Sequence, residues 1–168
     1  MSLDFGSAPL GYRPLQIGLH WLVFLAVAFL FFTGDNMTDA FKAMEQNGAS
    51  AWSSAWIPIH IAVGLFVFVA VVWRLVLRRV YGAPPPPADE PQPLRMAAVG
   101  VHYLLYLDLV AAPLIGLAAF FVAPGVAGAH HFLVRLPIMA LVGLHVAGAL
   151  WHLVVSRDKV FQRMLRPV

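Results

Sequence analysis

Four uninterrupted apolar stretches dominate this chain, and each is long enough to cross a bilayer. They run from about Leu15 to Thr33, Ile57 to Leu77, Ala97 to Val122 and His131 to Val155. A hydrocarbon core of about 30 Å needs about 20 helical residues to span it. Inside lipid an isolated segment can satisfy its own backbone hydrogen bonds only as a helix. With 61% of its 168 residues hydrophobic, 11% charged and a mean hydropathy of +0.79, the chain is too apolar for a water-soluble domain. The expected fold is an all-α membrane protein, a four-helix transmembrane up-and-down bundle forming one domain over residues 1–168. The first stretch reads as a span and not a secretory leader, because no small-residue cleavage site follows Phe29 to Phe32.

The basic residues set the orientation. Arg13 precedes the first stretch; Arg74, Arg78, Arg79 and Arg95 flank the second connection; Arg157, Lys159, Arg163 and Arg166 follow the fourth stretch. The first and third connections hold only Lys42, beside Asp35, Asp39 and Glu45. This asymmetry places both termini and the second connection in the cytoplasm. That connection, residues 80–96, carries Pro84 to Pro87, Pro91 and Pro93 and should be a stiff, extended spacer. Ala123 to His130, a short Gly- and Pro-containing turn, makes the last two helices antiparallel. The net charge of +3 and pI near 9.7 therefore reflect membrane topology, and nucleic acid is not an expected partner. Without cysteine the chain has no disulfide framework and no thiolate metal ligand, so any metal falls to histidine, methionine or oxygen.

Histidines sit at two depths in this scheme. His20 lies near the cytoplasmic start of the first helix, and His60 near the outer start of the second. In the fourth helix His131 and His145 are fourteen residues apart. Fourteen helical steps span about 21 Å and return to within about 40° of the starting face. One helix thus offers an outer and an inner imidazole on the same side, and the pairs at matching depth are His20 with His145 and His60 with His131. An iron porphyrin takes one axial imidazole from each side and fills apolar space between helices. Two haems, with iron bound by His20, His145, His60 and His131, are the expected cofactors. Both axial positions being filled, the expected chemistry is electron transfer rather than oxygen binding. Gly64, and Gly148 with Ala149, offer small surfaces for a flat macrocycle or, equally, for close helix packing. A cation transporter is the competing class. Its site would call for carboxylates or further ligands at one depth, and Asp108 is the only acid well inside a span.

The runs Leu15-Gln16-Ile17 with His20-Trp21, Ile59-His60 followed by Gly64 and Arg74, His102 followed by Tyr106, Pro113 and Gly116, and Gly143-Leu144-His145 leading to Ala149-Leu150 and His152 carry a resemblance. From about Tyr12 to Met164 the chain resembles the bacterial dihaem cytochrome b561 family. The resemblance implies a multi-pass protein of the bacterial inner membrane with two b-type haems that exchanges electrons with the quinone pool, ubiquinone or another quinone. It also implies His20, His60, His131 and His145 as axial ligands. The chain departs from the family in its shorter outer connection and in Phe132, where the family carries an acid. Of the adjacent His130 and His131, only His131 keeps the fourteen-residue phase.

Four further residues are candidates for cofactor contact. His102 and His152 lie toward the cytoplasmic side, where each could serve a haem propionate or a quinone head group, or be a plain interfacial histidine. Arg135 lies one turn inward of His131. An unpaired arginine there costs at least about 2.5–3.5 kcal/mol, so it calls for an anion or an escape to the surface. A haem propionate is one such anion, and a substrate such as superoxide is another. Arg74 sits at the inner end of the second helix, where topology alone also accounts for an arginine. The five tryptophans read as interface anchors. The expected function is transmembrane electron transfer between quinone and an outer partner, superoxide or a redox protein. The alternative is a haem-carrying membrane-anchor subunit of a larger dehydrogenase or hydrogenase.

Overall fold

A computed structural model describes residues 9–48, 50–122 and 127–167, with the side chains of residues 51 and 127–133 outside the described set. The fold is all-α. Helix α1 spans Pro14–Asn47, α2 Trp56–Tyr81, α3 Gln92–Phe121 and α4 Ala127–Trp151. All four are long and apolar enough to cross a membrane. A short 3-10 turn, Ala51–Ser53, precedes α2. A π-helical turn, His152–Ser156, extends α4, and a 3-10 turn, Gln162–Met164, closes the tail.

Successive helices pack on one another in up-and-down order, α1 on α2, α2 on α3 and α3 on α4. One end of the bundle gathers the start of α1, the α2–α3 connection and the tail, with most of the basic residues; it is called the basic end below. The core lies between α1 and α2, where Leu19, Val23, Val67, Ala70, Val71 and Leu77 are buried and Tyr106, Leu109 and Val110 of α3 lean on them. The small side chain of Ala70 lets the helices approach closely, as van der Waals packing in lipid requires. The α1 and α4 backbones, by contrast, hardly approach each other among the described residues. Only long side chains span the gap.

The helix bounds differ from those read off hydropathy. The apolar stretch ends at Thr33, but α1 continues to Asn47 and ends on Gly48 in the left-handed conformation, φ 64°. At 34 residues it is about 51 Å long, well beyond the bilayer core. Two hydroxyls bond back into the helix, Thr33 Oγ1 to the Phe29 carbonyl at 2.7 Å and Thr38 Oγ1 to the Gly34 carbonyl at 3.0 Å, so neither competes for another fold. Phe41 is buried, its ring 6.1 Å from Phe120 of α3. Asp35, expected in a loop, is therefore on a helix. Helix α4 begins at Ala127, earlier than His131, and residues 123–126 of the expected turn lie outside the described residues.

At the basic end Pro14 opens α1 with its φ already helical, and the Arg13 N–H donates to Gln16 Oε1 at 3.0 Å. Gln16 is buried yet satisfied, since its Nε2 donates to the Gly82 carbonyl at 3.3 Å. Arg74 Nη1 donates to the Gln16 carbonyl at 3.0 Å. These bonds pin the start of α1 to the end of α2.

Candidate functional site

Two sites emerge, one near each end. Near the basic end, His20 of α1 and His145 of α4 face each other across the α1–α4 gap, ring centres 6.0 Å apart. His102 of α3 joins them, its ring edge-on to His145 at 5.0 Å. Its Nδ1 lies 2.7 Å from the Ala98 carbonyl. A carbonyl only accepts, so Nδ1 carries the proton and Nε2 is left as an acceptor. Sequence depth alone placed His102 on this side but could not turn it toward His145.

At the opposite end all four helices line a cavity of about 460 Å³. His60 and Gly64 come from α2, Phe31 and Phe41 from α1, Pro113 and Gly116 from α3, and Arg135 from α4. Pro113 has no N–H to return to the carbonyl of Leu109, so the α3 wall is locally free of one helical bond. Gly64 is buried, yet a Cβ built on it meets nothing within 4 Å. It therefore serves the cavity, not close helix packing. Gly148 has the same open surroundings but is exposed, which leaves both of its readings standing. The His131 side chain lies outside the described residues; its backbone belongs to α4, fourteen residues before His145.

The remaining candidates have protein partners. Arg135 Nη1 is 2.8 Å from Asp35 Oδ1, and its guanidinium stands 4.8 Å over the Phe31 ring. The anion expected beside Arg135 is thus supplied in part by the chain itself. His152 Nδ1 is 2.6 Å from Asp158 Oδ2 and its Nε2 is 3.5 Å from Glu90 Oε1. Both of its ring nitrogens face carboxylates, one from the connection and one from the tail. Arg74 is spent, at least at one nitrogen, on the α1–α2 joint. Trp21 is more than an anchor, since its Nε1 donates to the Met164 carbonyl at 2.8 Å. Asp35, Glu90, Asp158 and Trp21 were not singled out from the sequence for these roles. The one usable signal was the four-residue step from Phe31 to Asp35, which puts both on one face if the helix continues.

The residues at the basic end fit a haem. Two imidazoles sharing one haem iron would stand with ring centres about 6 Å apart, two bonds of about 2 Å plus about 1 Å of ring on either side. His20 and His145 stand at that spacing. The other site offers an imidazole, an apolar hollow and a glycine surface that a side chain would fill. Asp108 in α3 has a buried Oδ2 with no hydrogen-bond partner. Among the described residues no group of three or more His, Asp or Glu side chains is placed to hold a metal ion.

Comparison with known proteins agrees with this chemistry. The sequence profile of the prokaryotic cytochrome b561 family matches residues 11–167. The chain is 34% identical to a cytochrome b562 of Cereibacter sphaeroides, covering 94% of this chain and 96% of that protein. It is 29% identical to the probable superoxide oxidase CybB of Yersinia pestis, over 92% and 95% of the two chains. Similarity to cytochrome b561 homolog 1 of Escherichia coli K12 stands at 27%, over 92% and 96%.

Proposed function

The chain belongs to the prokaryotic cytochrome b561 family and is a membrane electron carrier of the b-haem type; we propose that it carries electrons across the bacterial inner membrane through two bis-histidine haems, with both termini cytoplasmic. The observation that carries this reading is the facing pair His20 and His145, held 6.0 Å apart by helices whose backbones stay separated. His60 and His131 are the second pair, at the cavity near the other end. When bound, the haems supply one-electron iron chemistry with no open coordination position.

The protein's own groups do the rest. The buried α1–α2 core carries His20 and His60 on one pair of helices, and α4 brings His145 to face His20. Apolar side chains make up most of the lining of the cavity beside His60. Quinone is the lipid-soluble partner, taking two electrons and two protons to become quinol. Superoxide fits as the outer donor, since it gives up one electron and leaves as oxygen without needing a position on iron. Two superoxide ions, two protons and one quinone then balance as two oxygen molecules and one quinol. His102, with Nε2 free to accept, stands beside His145 on the side from which cytoplasmic protons arrive.

The charges around the cavity bear on superoxide. Arg135 and Lys42 are met by Asp35, Asp39 and Glu45, with Lys42 Nζ 4.0 Å from Asp39. Asp35→Asn removes the carboxylate at Arg135 and makes this rim more positive. Superoxide-driven quinone reduction is then expected to rise severalfold at low salt and to lose that gain near 0.15 M salt, where the screening length is about 8 Å. An unchanged, salt-independent rate would remove superoxide from this reading. The central test is a reduced-minus-oxidised spectrum of the purified chain with pyridine-haemochrome counting. Two haems b per chain are expected, and a count of one or none breaks the two-pair scheme.

A further inference from the structure

α1 and α4 carry the facing imidazoles His20 and His145, yet their backbones hardly approach each other. At the basic end the fastening between them is the segment that follows α4. Arg157 takes a left-handed φ of 52°, and the N–H groups of Arg157 and Asp158 both donate to the His152 carbonyl, so the chain reverses beneath the helix. Asp158 holds that reversal from both oxygens: Oδ2 lies 2.6 Å from His152 Nδ1, and Oδ1 accepts from the Val160 N–H at 2.9 Å. The turn Gln162–Met164 then reaches α1, where Trp21 Nε1 donates to the Met164 carbonyl at 2.8 Å. On the way Arg163 Nη1 donates to the Pro85 carbonyl at 2.7 Å, tying the tail to the proline-rich connection. The second nitrogen of His152 faces Glu90 of that connection, a carboxylate only 7% exposed, with Arg95 Nε 4.0 Å from its other oxygen.

Both ends of this segment sit beside the imidazole pair. Trp21 is next to His20 in the chain and meets its ring edge-on at 5.4 Å. His152 is two turns beyond His145 on the same face of α4. We propose that residues 157–166 form a strap that sets the gap between His20 and His145, with Trp21 and His152 as positioning residues at its two ends. The inference rests on the reading of those imidazoles as ligands of one haem. Direct helix packing, slight here, leaves the gap undetermined. The strap determines it.

Having no cysteine, the chain accepts spin labels at chosen sites, and Leu15→Cys with Leu150→Cys places them on exposed positions of α1 and α4 near the basic end. Trp21→Phe deletes one N–H while keeping a ring against His20, and His152→Ala removes the other fastening. Each full-length variant is expected to raise trypsin cleavage after Arg157, Lys159 and Arg163 by on the order of tenfold, as loss of one strong hydrogen bond implies. The label-to-label distance distribution should widen. In the haem-loaded protein one low-spin signal and one midpoint potential should shift while the other set stays in place. A tail that cleaves faster with unchanged label distances and both haem signals as in the wild type overturns the strap. So does a tail that neither variant loosens. A wild-type chain holding fewer than two haems refutes the proposed function instead, and the distance measurement still decides the strap.

Discussion

Replacing His145 by alanine is expected to lower haem content from two per chain to one and to leave the surviving haem with its low-spin spectrum intact. His145 stands between His20 at 6.0 Å and His102 at 5.0 Å, so it is the hub of the basic-end site. Loss of an outer-shell partner of a metal ligand already costs about 10–100-fold in affinity or activity. Loss of the ligand itself should exceed that, and electron transfer across the membrane should fall by at least roughly a hundredfold. His102→Ala is the matching control. If His102 only flanks the site, this variant keeps both haems. If His145→Ala keeps two haems with unchanged low-spin signatures while His102→Ala loses one, helix α4 is not the shared ligand donor.

Why the sequence reached the His20–His145 juxtaposition but not its neighbours follows from what each inference needed. Helix number and order came from apolar length, a property averaged over some twenty residues and insensitive to any one side chain. Depth then followed from counting along each helix, and His20 and His145 share a depth by construction. The rotation of a helix about its axis is set by packing, which no count along one chain reveals. His102 could therefore be put at the right level but not turned toward His145. Charge partners were harder still. The need of Arg135 for an anion was legible from its place in a span, but Asp35 lies a hundred residues earlier. The apolar stretch ends at Thr33, which put Asp35 in a connection, and only the continued α1 brings Asp35 to Arg135. The partners of His152 were hidden in the same way. Its carboxylate partners come from a proline-rich connection read as a bare spacer and a tail read as a topology signal.

The division of labour among the helices bears on how such a site keeps its geometry. α1 and α2 bury most of the fully enclosed side chains, whereas the described residues of α4 include none. That pair carries His20 and His60, and the less embedded α4 carries His145. α4 is tied to α1 by Arg135 on Asp35 at one end and by the tail on Trp21 at the other. On the two-haem reading proposed above, these contacts would set the cofactor geometry as much as the histidines do.

Gly64→Leu is expected to remove the haem at the His60 level while leaving the polypeptide folded and the other haem in place. The argument turns on what surrounds Gly64. It is buried, and a Cβ there meets no atom within 4 Å, so the apoprotein has no steric reason to resist a side chain. Gly64→Ala should even stabilise the haem-free helix by roughly 0.5–1 kcal/mol, the usual penalty of glycine in a helix interior. The larger leucine would enter the cavity that His60 and Arg135 line. Its effect on haem is then opposite in sign to the effect of alanine on the bare chain. Were Gly64 a helix-packing residue, both substitutions would lower apoprotein stability together, because overpacking costs about 1–3 kcal/mol. Thermal unfolding of the haem-free variants and haem counting of the loaded ones separate the two cases. Two haems retained in Gly64→Leu would mean that the cavity is not where the second haem sits.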